Sequence, residues 1–324
     1  MTPEVQSVCF AASMGAGLTV LGMPAFLAGM RRLGWGQKIR EEGPKDHQSK
    51  SGTPTMGGGL FVPVGLLASF WAYQWSGDLV VLWILTLGSW ALGLTDDLTK
   101  VMRNRNLGLK ARHKIVIQTA LSLAMGVYLA CRMPVPGIEI PGLGFFAGIH
   151  WVLLLTWLVV AGTTNAVNLT DGLDGLAAGS VLSTLGAYTL ICLAAGRADL
   201  AVAGAGMAGA TLGFLWFNCF PARIFMGDTG SMGLGGVLAG LALLTHTPFL
   251  LVLMGGIYVM EALSVMLQVS YFKLTRGKRI FRMSPIHHHF CLGGLHEVQV
   301  TQRMWMGSLV LALAGLYVHF GGIL

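Results

Sequence analysis

Apolar runs and polar breaks alternate along this chain on a scale of about 20 residues, the length of helix that crosses a hydrocarbon core. Ten runs stand out, at approximately 5–30, 56–74, 79–95, 114–131, 149–166, 175–194, 198–217, 232–246, 248–272 and 304–323. The eighth is short and rich in glycine. The ninth runs on towards Phe272 and is expected to tilt or break. The first, Val5 to Met30, is longer than a signal peptide's apolar core and has no basic stretch before it, so it reads as a retained span. The pattern predicts an all-α, polytopic integral membrane protein of about ten transmembrane helices, forming one domain over residues 1–324.

Composition agrees. Of the 324 residues, 54% are hydrophobic and 11% charged, where a soluble domain carries about 25% charged residues. The 46 glycines suit close helix packing better than flexible linkers. Five cysteines (Cys9, Cys131, Cys192, Cys219, Cys291) occur singly without a C-x-x-C pair, which favours packing over zinc or disulfides.

The charges orient the spans. Six Lys and Arg precede Met56 (Arg31, Arg32, Lys38, Arg40, Lys45, Lys50) and six follow the third run (Lys100, Arg103, Arg105, Lys110, Arg112, Lys114). Arg223, Lys273, Arg276, Lys278, Arg279, Arg282 and Arg303 fall on the same side, leaving only Arg132 and Arg197 opposite. Positive charge stays inside, so the rich side is cytoplasmic and both termini are expected on the periplasmic or extracellular side. The net charge of +7 is then explained by basic loops beside anionic head groups. No nucleic-acid-binding motif is present, so a nucleic-acid partner is not expected.

Acidic residues at membrane depth are costly and mark substrate or ion paths. Asp96 and Asp97 close the third run in "GLTDDLTK". A helix C-terminus repels anions, so this pair needs a cation, either Lys100 or a metal. In "NAVNLTDGLDGLA", Asn165, Asn168, Asp171 and Asp174 recur every third residue. Each step of three turns about 300° on a helix, which would spread the four over half the cylinder. Gly172 and Gly175 instead suggest a helix end, a tight turn and a new start, gathering the four groups at one place; helix capping alone is the plainer alternative. Asp228 lies in "FMGDTGSMGLGG", where glycines such as Gly227 admit close backbone approach and a following helix start offers free N–H groups to phosphate. An acid there suits a hard cation such as magnesium, held by one or two carboxylates and completed by substrate phosphates.

"SPIHHHF" (284–290) places three histidines together. Zinc ligands are usually spaced, and no cysteine-rich or H-E-x-x-H partner exists. In extended chain the rings splay, with His287 and His289 on one side and His288 on the other, and Pro285 opposes a helix through the start of the motif. Five preceding basic residues (Lys273, Arg276, Lys278, Arg279, Arg282) suit an anionic ligand whose phosphate or sugar oxygens the rings could bind. Glu261 and Gln268 are polar positions on the apolar ninth run, facing either the site or a neighbouring helix.

Five segments, "KSGTPTMGG" (50–58), "DDLTK" (96–100), "NAVNLTDGLDGLA" (165–177), "FMGDTGS" (225–231) and "RIFRMSPIHHHF" (279–290), together resemble the phospho-N-acetylmuramoyl-pentapeptide transferases. These belong to the polyprenyl-phosphate N-acetylhexosamine-1-phosphate transferase superfamily. The resemblance covers nearly the whole chain. It implies a magnesium-dependent multi-pass enzyme of the bacterial cytoplasmic membrane that joins UDP-MurNAc-pentapeptide to undecaprenyl phosphate, forming lipid I and UMP, and that works as a homodimer. It also implies roles: Asp228 as magnesium ligand, Asp96 as base towards the lipid phosphate with Asp97 assisting, and His287 with this catalytic set. Lys50, Lys100 and Lys114 would contact phosphates, and Phe225 would stack on uracil. Asn165, Asn168, Asp171, Asp174, Gly227, Gln268, His288 and His289 would line the substrate pocket. The family commonly continues "HHHFELKG" where this chain has "HHHFCLGG", with Cys291 and Gly293 in place of an acid and a lysine.

Two other readings compete. A GlcNAc-1-phosphate transferase would share the aspartates but differ in the histidine loop. A secondary transporter would show a pseudo-symmetric repeat with acids near mid-membrane, whereas these acids cluster at one face.

Overall fold

The computed structural model describes residues 1–36, 52–103 and 107–321. Among them are twelve helices: α1 Pro3–Arg32, α2 Gly58–Ala72, α3 Gly77–Met102, α4 Ala111–Arg132, α5 Ile149–Thr170, α6 Leu176–Ala194, α7 Ala198–Asn218, α8 Gly227–Leu244, α9 Pro248–Met254, α10 Gly256–Leu274, α11 Ile286–Cys291 and α12 Glu297–Phe320. Eight of these (α1, α3 to α7, α10 and α12) are long and apolar enough to cross a membrane, and α2 is a shorter apolar helix. Each of the ten predicted runs is found as helix.

The differences are local. Strands β1 (Gly137–Ile140) and β2 (Gly144–Ala147) form an antiparallel hairpin between α4 and α5, pairing Gly137 with Ala147 and Ile140 with Gly144. Its strands are four residues each, too short to show a period in the sequence. The ninth run is broken at Gly255 into α9 and α10. Helix α3 continues to Met102, so Asp96 and Asp97 lie inside its last two turns rather than at its end. Helix α8 starts five residues before the predicted run, which puts Asp228 within its first turn.

Caps explain several starts. Thr2 accepts from Val5 N–H ahead of α1, and Ser76 Oγ accepts from Leu79 N–H (3.0 Å) ahead of α3. His296 and Gln299 form a reciprocal capping box at the start of α12.

Helix α8 is the centre of the bundle: every residue from Thr229 to Leu244 is buried. It packs chiefly on α3 and α5, while α7 packs on α1, α2 and α6. A helix enveloped this way needs no polar face. Glycines let main chains touch: a Cβ on Gly209 of α7 would lie 2.0 Å from the Ala12 carbonyl oxygen of α1, and one on Gly15 would lie 2.4 Å from that of Gly206.

Helix α3 carries a charged cluster at each end. At its start, Arg197 binds Asp78 (2.6 Å) and Asp199 (3.1 Å), Ser76 donates to Asp199 (2.6 Å), Tyr128 donates to Asp78, and Arg132 lies 3.7 Å from Asp78. Asp78 and Asp96 are 18 residues apart, about 27 Å along a helix, close to the hydrocarbon thickness of about 30 Å. Arg132 and Arg197, which the sequence sets apart from the other basic residues, meet in this one cluster.

Candidate active site

Three carboxylates converge at the far end of α3. Oxygens of Asp96, Asp97 and Asp228 lie within 4.8 Å of one another, although residues 96 and 228 come from different helices. Backbone contact makes this possible. A Cβ on Gly93 of α3 would lie 2.1 Å from the Asp228 carbonyl oxygen, so the first turn of α8 sits directly on α3. Gly227 takes φ +74, in the left-handed region that favours glycine, and a Cβ there would lie 2.5 Å from Asp97 Oδ2.

Two lysines hold the carboxylates together. Lys100 Nζ is 2.8 Å from Asp96 Oδ2, 3.2 Å from Asp97 Oδ1 and 2.8 Å from Asp228 Oδ1. Lys114, from the first turns of α4, is 3.0 Å from Asp96 Oδ1 and 2.9 Å from Asp228 Oδ2. The backbone N–H of Leu109 donates to Asp96 Oδ1 (2.7 Å). Asp97 Oδ2 accepts from the backbone N–H and the hydroxyl of Thr229. A carboxylate late in α3 is thereby placed against the positive start of α8, where the helix dipole favours it.

The asparagine and aspartate repeat folds as helix end, turn and helix start. α5 ends at Thr170, and α6 begins at Leu176 after Gly175 at φ +74. Asn168 Nδ2 donates to Ser231 Oγ (2.9 Å), joining α5 to α8 beside Asp228. Asn165 instead turns to Gln118 and the Ala161 carbonyl. Asp174 Oδ2 accepts from Ala222 N–H (2.9 Å), so it braces the chain leading to Phe225. Asp171, in the turn, is pushed up to about 8 by burial first, then by the charges of Asp228, Asp97 and Asp174. Phe225 is half-buried, held by backbone bonds from its N–H to Pro54 O and from Gly57 N–H to Phe225 O.

The histidines are not in extended chain. Pro285 ends the approach, and α11 begins at Ile286. Pro is tolerated at a helix start because the missing N–H has no partner there. Neighbouring rings therefore point about 100° apart. His287 turns inward, fully buried, with Nδ1 3.0 Å from Glu261 Oε2. Its Nε2 packs on the acidic turn: a Cβ on Gly172 would lie 2.2 Å away. His289 Nδ1 accepts from Arg282 N–H (3.1 Å), and the His288 ring lies 4.1 Å from that of His287. Gln268 Oε1 accepts from the backbone N–H groups of Ile280 and Phe281 (3.1 and 2.9 Å), tethering the segment that leads to the histidines.

Asp96, Asp97, Asp228, Lys100, Lys114, Asn168, Asp171, Gly227 and His287 thus share one region, with Asp174 and Phe225 beside it. Lys50 lies outside the described residues. Sequence reasoning did not single out Thr229, Ser231 or Leu109 N–H. Thr229 could have been found from its place one residue after Asp228 at a helix start; the Leu109 amide carries no side-chain signal. Three carboxylates offering only oxygen fit a hard divalent cation such as magnesium.

Proteins of known name resemble this chain along its length. The glycosyl transferase family 4 profile matches residues 79–246. A Bacillus subtilis (strain 168) protein named phospho-N-acetylmuramoyl-pentapeptide-transferase is 43% identical over 320 residues, covering 97% of this chain and 98% of its own. Proteins of the same name from Geobacillus thermodenitrificans (44% over 326 residues; 98% and 99% covered) and Halalkalibacterium halodurans (45% over 310 residues; 93% and 94%) match similarly.

Proposed function

The chain belongs to the phospho-N-acetylmuramoyl-pentapeptide transferase family, and from that premise we propose the following reaction. The protein transfers phospho-MurNAc-pentapeptide from UDP-MurNAc-pentapeptide to undecaprenyl phosphate, yielding lipid I and UMP. It is a multi-pass enzyme of the bacterial cytoplasmic membrane, with the carboxylate cluster on the cytoplasmic side and both termini outside. The single observation that carries the reading is the junction of Asp96, Asp97 and Asp228 under Lys100 and Lys114.

A phosphate attacking a diphosphate accumulates negative charge, so such a site must supply cations and fixed donors. Asp228, supported by Asp96 and Asp97, would hold magnesium, which when bound neutralises diphosphate oxygens and steadies the UMP leaving group. Lys100 and Lys114, which pair with these carboxylates, would contact the substrate phosphates. Asp96 would orient the lipid phosphate; that group is already ionised near neutral pH, so little is asked of it as a base and direct attack suffices. Phe225 would offer a face for uracil, and His288 and His289 would meet the sugar nucleotide. The enzyme would act as a homodimer, a state that native mass spectrometry in detergent would test.

The test is UMP release by purified protein given undecaprenyl phosphate and magnesium with either UDP-MurNAc-pentapeptide or UDP-GlcNAc. Release from the first alone is expected. Preference for UDP-GlcNAc would transfer the protein to the competing GlcNAc-1-phosphate reaction. Asp228→Ala should abolish turnover.

A further inference from the structure

Glu261 is an acid inside an apolar helix, fully buried and far along α10 from its basic end. Such a group is costly to keep in a membrane. Its partner is His287: Oε2 lies 3.0 Å from the ring Nδ1 and 3.5 Å from the His287 backbone nitrogen. Gln268 stands seven residues on, on the same face of α10, and takes the backbone N–H groups of Ile280 and Phe281. The chain after α10 therefore runs back antiparallel to it, tied at Gln268 and again at Glu261. The return is long: Glu261 and Leu274 are separated by 13 residues, about 20 Å of helix.

We propose that Glu261 and His287 form a positioning dyad for the acidic turn. Glu261 fixes the orientation and tautomer of His287, and the opposite edge of the ring seats Gly172 and so places Asp171 and Asp174. Glu261 Oε2 accepts from the His287 backbone N–H, and the dyad has the same oxygen accept from the ring, which puts the ring proton on Nδ1. A carboxylate holding one ring nitrogen selects what the other presents. Nε2 faces Gly172 so closely that a Cβ there would be 2.2 Å from it, and it has no hydrogen-bond partner within the described chain. The ring is 0% exposed, which separates it from a residue that touches a soluble substrate. This assignment rests on the transferase reading for its kinetic consequence, and on geometry alone for the rest.

The experiment uses the full chain in detergent, with Glu261→Gln and Glu261→Ala beside the unaltered protein. In ¹⁵N-histidine spectra the unaltered protein should show His287 protonated at Nδ1. Glu261→Ala should lose that signature, and Glu261→Gln, whose amide oxygen still accepts, should keep it. Turnover should fall about 100-fold in the alanine variant and recover to within about tenfold in the glutamine variant, mainly through kcat. Diethyl pyrocarbonate should leave His287 unmodified with or without UMP. An unchanged His287 signal and normal turnover in Glu261→Ala would overturn the dyad. Modification of His287 that UMP prevents would overturn it too, by making the ring a substrate contact. Failure of the unaltered protein to release UMP would reject the reaction while leaving the spectroscopic and labelling results to decide the dyad.

Discussion

Asp97 Oδ2 accepts two hydrogen bonds from Thr229, one from its backbone N–H at 2.9 Å and one from its hydroxyl at 2.7 Å. This joins the late turns of α3 to the first turn of α8. Thr229→Val keeps the shape and removes one donor to a buried charge, a loss of about 1.5–3 kcal/mol. Thermal unfolding in detergent should show a lower midpoint, and UMP release should slow by about tenfold or more.

Gly93→Ala tests the backbone contact beneath the site. A Cβ there would be 2.1 Å from the Asp228 carbonyl oxygen, which belongs to main chain and cannot rotate away. Overpacking of this kind costs about 1–3 kcal/mol, and displacing a reacting group by about 1 Å costs about 100-fold in rate. Turnover assays should therefore show the larger loss, with the protein still folded.

Asp171 gives a pH dependence with a definite sign. Its carboxyl is raised from the ordinary value of 3.8 to about 8 in the fold, so the unfolded chain releases the proton first. The stability this group contributes is complete below about pH 4 and declines as pH rises towards 8. Asp171→Asn stays neutral throughout. In scans without added metal, the variant's melting temperature should fall less between pH 5 and 8 than that of the unaltered protein.

Arg197→Ala should separate stability from chemistry. It leaves Asp78 and Asp199 without their main cation at the end of α3 remote from the carboxylates. These side chains are part-buried, so the loss is about 1–3 kcal/mol once solvent screening is allowed for. The melting temperature should drop while UMP release at low temperature stays near normal.

Much of this was legible beforehand because membrane helices announce themselves by length and apolarity. The ten runs, the break in the ninth and the helix–turn–helix at 165–177 were all readable. The hairpin was not, since four-residue strands carry no usable period. Helix ends were misjudged where polarity begins before the helix stops: Thr95 to Met102 looks like a loop to a hydropathy window, yet its acids are neutralised by Lys100 and Lys114 and stay helical. The pairing of Asp97 with Thr229 joins residues 132 positions apart, and only packing reveals it. The burial of His287 against Glu261 depends on α11 folding back along α10, which no local pattern in the sequence signals.

The close main-chain approaches also sort this protein's glycines for anyone seeking a sturdier form of it. Exchange of a helical glycine for alanine is a common stabilising step, because it lowers the entropy of the unfolded chain. At Gly15, Gly58 and Gly93 that step is closed, since an added methyl would enter the backbone of a neighbouring helix. Gly17, Gly29, Gly162 and Gly186 stand inside helices with open space where the methyl would go. Engineering that begins with the second group can raise thermal endurance without disturbing the carboxylates, whereas a methyl added to the first group would force neighbouring main chain to shift.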